Sequence, residues 1–105
     1  MSYSAIAILC EAKFVEIPSS IDDDFKITPA QLEAAITPKT KMVFFNSPNN
    51  PSGSIYSEKE YRALAAVLEK HPQIYILSDE IYEHINYGVK PFSFAAIENM
   101  FDRTI

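Results

Sequence analysis

The sequence predicts an α/β fold built on a parallel sheet, and three features point to it. Met42-Val43-Phe44-Phe45 and Ile74-Tyr75-Ile76-Leu77 are uninterrupted apolar runs of strand length. Without polar alternation, such runs suit strands buried on both faces, as in parallel sheets. Between them lies a capped amphipathic stretch, and strand, helix, strand in that order make one βαβ unit, expected to be right-handed.

The elements follow in chain order. The opening Met-Ser-Tyr-Ser-Ala-Ile-Ala-Ile-Leu-Cys has no basic segment before its short apolar stretch, so it does not read as a signal peptide. No apolar run is long enough to cross a bilayer, and a cytoplasmic chain is expected. Cys10 is the single cysteine, which excludes an internal disulfide. It follows Ala-Ile-Leu with no basic neighbour and is expected to be a buried structural thiol. Phe14-Val15-Glu16-Ile17 suits a short strand, and Ser19 to Lys26 a polar turn. Counted from Asp22, Asp24 and Glu33 match acidic positions of a calcium loop, but Ile27 stands where that loop needs glycine. A solvated turn is the better reading.

Thr28-Pro29-Ala30-Gln31 has the form of a capping box with proline at the first helical position. Leu32, Ala35 and Ile36 give that helix its apolar stripe, and Pro38 ends it. Ser57-Glu58-Lys59-Glu60 is a second capping box. Tyr61, Leu64, Ala65 and Leu68 then repeat at helical spacing, and Lys70 and His71 close the helix where its dipole favours positive charge. Beyond Tyr82 the pattern weakens. Gly88 and Pro91 mark a loop, Ser93 is placed to cap a short helix through Met100, and Asp102-Arg103-Thr104-Ile105 reads as the approach to another strand.

With 105 residues, 48% of them apolar, the chain has the composition of one small globular domain. Acidic residues outnumber basic ones by 14 to 9, giving a net charge of −5 with no Lys/Arg cluster. Nucleic acids and anionic membranes are therefore excluded as expected partners.

Chemistry concentrates at the ends of the two apolar runs. Asn46-Ser47-Pro48-Asn49-Asn50-Pro51-Ser52-Gly53 follows the first, a stiff turn rich in side-chain amides. Ser78-Asp79-Glu80-Ile81-Tyr82 follows the second, and a carboxylate there needs a cationic partner or a ligand. If the chain turns helical at that point, Asp79 and Tyr82 share a face. In open parallel sheets ligands bind beyond the carboxyl ends of strands, which is where both motifs fall.

Asn50-Pro51-Ser52-Gly53 resembles the Asn-Pro-(Thr/Ser)-Gly motif of fold-type-I class I/II aminotransferases, and Ser78-Asp79-Glu80-Ile81-Tyr82 resembles their Asp-Glu-x-Tyr motif. The stretch from Ile27 to Lys41 is similar to the segment before the first motif in bacterial aspartate aminotransferases. One departure is Ser4, where many members have proline.

The resemblance implies a three-layer α/β large domain and pyridoxal 5'-phosphate as cofactor. Asp79 matches the aspartate that bonds the pyridine nitrogen, and Asn50 and Tyr82 match the residues that bond the phenolic oxygen. It implies amino-acid and 2-oxo-acid substrates, aspartate first among donors, and a homodimeric parent enzyme. The expectation is that residues 1–105 are an internal piece of the cofactor-binding large domain, with the small domain absent. The Schiff-base lysine is expected beyond Ile105, because none of the seven lysines has its context; Lys90, in a loop, is a poor substitute. The phosphate loop and stacking aromatic are expected before Met1. Such a chain is expected to be inactive alone. Two other readings fit the same residues, a carbon–sulfur lyase fragment and a non-catalytic binding or structural module.

Overall fold

The computed structural model describes residues 3–105. Met1 and Ser2, the start of the stretch read for a signal peptide, lie outside them. Among the described residues three α-helices and two strands form, in the order α1 (Tyr3–Leu9), α2 (Pro29–Ala35), β1 (Met42–Asn46), α3 (Glu58–Leu68) and β2 (Tyr75–Asp79). Short 3₁₀ turns occupy Ile21–Asp23, Phe94–Ala96 and Phe101–Arg103.

Both capping boxes form. The Thr28 side chain accepts from the Gln31 amide, the Ser57 side chain accepts from the Glu60 amide, and each partner side chain reaches back to the cap. These contacts satisfy amides that the first helical turn leaves without internal partners. Arg103 does the same at the other end of α3, donating to the carbonyls of Leu68 at 2.8 Å and His71 at 2.9 Å. Lys70 and His71 fall just past the cap residue Glu69, outside the last turn of α3, and both meet Glu33 instead, at 3.0 and 3.4 Å.

β1 and β2 pair in parallel, with Met42 opposite Tyr75 and Asn46 opposite Asp79. A third strand begins on the far side of β2: Thr104 bridges Ile76, and Ile105 exchanges backbone hydrogen bonds with Ile76 and Ser78. The predicted βαβ unit and the predicted strand approach at the C-terminus are therefore both present.

The core lies on one face of the sheet. There Phe45 and Ile76 pack under Tyr61, Leu64 and Leu68 of α3, together with Leu32, Tyr56 and Phe94. Neighbouring rings among Phe45, Tyr56, Tyr61 and Phe94 stand 4.9–6.1 Å apart in stacked, tilted and edge arrangements. Each such fully buried side chain contributes about 1.5–3 kcal/mol by leaving water.

Four expectations are corrected. The strands are not buried on both faces: Met42 and Tyr75, which alternation places on the face away from α3, are exposed. Residues 14–17 form no strand, because nothing pairs with them; Ile17 packs on the core while Phe14 and Val15 face outward. Cys10 is exposed, since it follows the last turn of α1, a helix that buries none of its residues. The helix expected from Ser93 through Met100 is only a 3₁₀ turn, and Ser93 makes no capping bond; its hydroxyl is taken by Glu80. The unforeseen element is α1, which stands where no helix was read.

Candidate functional site

Parallel register brings the two motifs together at one sheet edge. The Asn46 side-chain amide donates to the Asp79 carbonyl at 3.2 Å, and the Ser47 amide donates to the same carbonyl at 3.1 Å. The other end of the Asn46 side chain accepts from Asn49 Nδ2 at 3.2 Å and from the Asn50 amide at 3.1 Å. One side chain thus fixes the loop to the end of β2. The turn closes through Gly53, whose amide donates to the Asn49 carbonyl at 2.8 Å. Its φ of 75° lies in the left-handed region that glycine enters without a Cβ clash. Asn49 Oδ1 accepts from the Ser52 amide and hydroxyl, and the Ser47–Pro48 and Asn50–Pro51 bonds are cis.

Held this way, Asn50 donates through Nδ2 to the Tyr82 hydroxyl at 3.0 Å. Residues 81–84 form turns and no α-helix, so Asp79 and Tyr82 do not share a helical face. Tyr82 is positioned by Asn50 instead. Beside this pair opens a cleft of about 560 Å³, lined also by Ile85, Asn86, Tyr87 and Val89.

Asp79 is half-buried, and its partner is a phenol where a cation or ligand was expected. Tyr3 donates its hydroxyl to Asp79 Oδ2, and the Ile81 amide donates to Oδ1 at 3.3 Å. The Tyr3 ring packs on Phe44 at 5.3 Å, on the sheet face away from α3. Burial, reinforced by the bond to Asp79 and its charge, pushes the Tyr3 phenol up to about 12. Tyr3 therefore stays protonated and remains a donor to the carboxylate across the neutral range.

Sequence reasoning brought Asn50, Asp79 and Tyr82 to one edge, and the structure places them there. It missed Tyr3 and Asn46. Asn46 carried a signal, being the polar residue that ends an apolar run opposite Asp79; Tyr3 carried none. A second cleft, of about 500 Å³, lies beside Lys26, Thr28, Ser57 and Glu60 at the start of α3, on residues of neither motif.

Residues 1–103 match the family described as aminotransferase class I and II. The chain belongs to that family. It is 54% identical over 85 residues to the aspartate/prephenate aminotransferase of Nitrosomonas europaea, covering 81% of itself and 21% of that enzyme. It is 44% identical over 107 residues to the aspartate/prephenate aminotransferase of Cereibacter sphaeroides, covering 100% of itself and 27% of that enzyme. Its fold superposes on the aspartate aminotransferase of Rhizobium meliloti with a TM-score of 0.93 at 45% identity, over 97% of this chain and 26% of that one. The chain thus spans about a quarter of the length of its relatives. No helix among the described residues is long and apolar enough to cross a membrane.

Proposed function

We propose that this chain supplies the cofactor-ring contacts of a pyridoxal-phosphate-dependent enzyme that exchanges an amino group between an amino acid, aspartate or a close analogue, and a 2-oxo acid. The carrying observation is the convergence of Asp79 with the Asn50–Tyr82 pair at the carboxyl edge of two strands held in register by Asn46 and Asp79.

The donor set fits the ring. A half-buried carboxylate, already aligned by Tyr3 and the Ile81 amide, is a partner for a protonated pyridine nitrogen. An amide and a phenol in mutual contact at 3.0 Å offer two donors for a phenolic oxygen. The cofactor, when bound, supplies the electron sink for the reaction. Asp79 would hold the proton on the ring nitrogen, while Asn50 and Tyr82 would orient the ring and favour the anionic form of its oxygen. The printed names of the aspartate/prephenate relatives support aspartate as donor.

In this reading the chain is the ring-binding part of a longer, homodimeric enzyme and is inactive alone. The 21–27% share of its relatives that it covers supports a longer enzyme. The test is amino transfer from aspartate to 2-oxoglutarate by the intact protein, measured in parallel with cofactor absorbance. Asp79→Asn keeps the shape and loses the charge, and it should lower the transfer rate roughly a hundredfold while the fold persists. A protein that neither binds pyridoxal phosphate nor transfers an amino group would overturn the reading.

A further inference from the structure

Glu80 stands between the two cofactor-ring candidates in sequence but behind them in space. Strand alternation sends Ser78 and Glu80 to the α3 side of the sheet and Asp79 to the opposite side. One Glu80 oxygen, Oε1, accepts three hydrogen bonds: from Ser78 Oγ at 2.8 Å, from Ser93 Oγ at 2.9 Å and from the Phe94 amide at 3.3 Å. Phe94 is fully buried, stacked on Phe45 at 5.1 Å and edge-on to Tyr61 at 5.0 Å. The carboxylate therefore ties the end of β2 to the centre of the core.

That tie also closes the base of the loop formed by residues 81–92. The loop has its own short turns, Glu83 amide to Glu80 carbonyl and Ile85 amide to Tyr82 carbonyl, but no strand or helix to hold its course. It carries Tyr82 and the cleft-lining Ile85, Asn86, Tyr87 and Val89, with Tyr87 97% exposed. With the core anchored at one foot and β2 at the other, the charge-assisted bonds of Glu80 fix where the loop starts and ends.

We propose that Glu80 is a positioning residue for the cofactor-ring site. By pinning the backbone on the α3 side it sets the direction in which Asp79 leaves the strand and the place at which Tyr82 meets Asn50. This rests on the reading given under Proposed function. Glu80 itself does not line the cleft.

The experiment compares Glu80→Ala and Glu80→Gln with the unaltered intact protein. Two quantities are read: amide hydrogen exchange without cofactor, and non-covalent binding of pyridoxamine 5'-phosphate, followed by its fluorescence. Removing the acceptor leaves three donors without their partner, so Glu80→Ala should speed exchange at Phe94 and across residues 81–86 by about tenfold or more and weaken binding about tenfold. Glutamine keeps a carbonyl oxygen for the same donors and should stay within about threefold on both readouts. Ser93→Ala, which removes a single donor, gives a milder version should the alanine variant at position 80 fail to fold; intermediate loss on both readouts is expected. Unchanged exchange in Glu80→Ala overturns the tie. Faster exchange with unchanged binding reduces Glu80 to a loop anchor and overturns its positioning role. If the unaltered protein binds no pyridoxamine phosphate, the cofactor reading fails and the positioning role with it, while the exchange result still decides whether the tie exists.

Discussion

Tyr3 and Asp79 are 76 positions apart in the chain, yet the Tyr3 hydroxyl holds one oxygen of the carboxylate on which the site turns. The phenol's folded value is raised from 10.0 to about 12, mainly by burial and then by Asp79. A raised value means that the protonated form is favoured by folding. Its contribution is therefore complete below pH 10.0 and is lost as pH rises toward about 12. Tyr3→Phe should remove one high-titrating phenol from the ultraviolet titration and flatten the stability loss over that window. It should also weaken pyridoxal phosphate binding by about threefold to tenfold, through a less well-aligned Asp79. Tyr61 offers the opposite case. Its hydroxyl is buried with no well-formed hydrogen bond among the described residues, with Ser47 and Ser78 as its polar neighbours. Burial pushes its phenol well up. Tyr61→Phe deletes an unsatisfied group and keeps the ring, so it should leave stability unchanged or raise it by about 1 kcal/mol in urea unfolding.

At the scale of elements, α3 is secured at both ends by charge. Its start depends on Glu60, which caps Ser57 and meets Lys26 at 2.9 Å. Burial opposes ionisation of Glu60, but the Ser57 bonds and Lys26 outweigh it and hold the carboxyl below its ordinary 4.5. A lowered carboxyl contributes stability that is present above pH 4.5 and is lost as pH falls through the folded value. Glu60→Gln keeps a capping acceptor and removes the titration, so its thermal unfolding should depend less steeply on pH on the acid side; the pair is partly exposed, and the effect should be within about 1 kcal/mol. The end of α3 depends on Arg103, whose guanidinium reaches the Leu68, His71 and Ile74 carbonyls. Arg103→Ala should cost about 1.5–3 kcal/mol in urea unfolding. Arg103→Lys should recover less than half of that, because a single ammonium cannot span the three carbonyls.

For the whole molecule the accessible area sets the terms. A compact monomer of 11.9 kDa is expected to expose about 5,900 Å², whereas this chain exposes 7253 Å². The excess is apolar in part: Ile8 and Leu9 on α1, Val15, Ile21, Ile81, Ile85, Val89, Phe101 and Ile105 are all exposed. β1 also leaves one edge without a partner among the described residues. An open strand edge beside exposed apolar side chains favours association. The 105-residue chain on its own should therefore bind a hydrophobic dye and self-associate at micromolar concentration, as measured by sedimentation. A dye-silent monomer would contradict this.

The sequence by itself determined the local pieces. Thr28 and Ser57 announce their helices because capping is settled within one turn, and Met42–Phe45 and Ile74–Leu77 announce strands because continuous apolar runs of that length have few other stable forms. The meeting of Asn50, Asp79 and Tyr82 at one edge was legible because their motifs stand at strand ends, and parallel strands end at the same edge. Tertiary structure alone decided the rest. The Phe14–Ile17 run has strand chemistry but no neighbour to pair with, so it stays irregular. Ser93 has the chemistry of a helix cap, but the Glu80 carboxylate claims it first. Which sheet face is covered, which phenol meets Asp79 and which carboxylate anchors the Tyr82 loop depend on contacts between residues far apart in sequence. Local pattern carries no record of those contacts, because each is settled only when the sheet and its helices have packed.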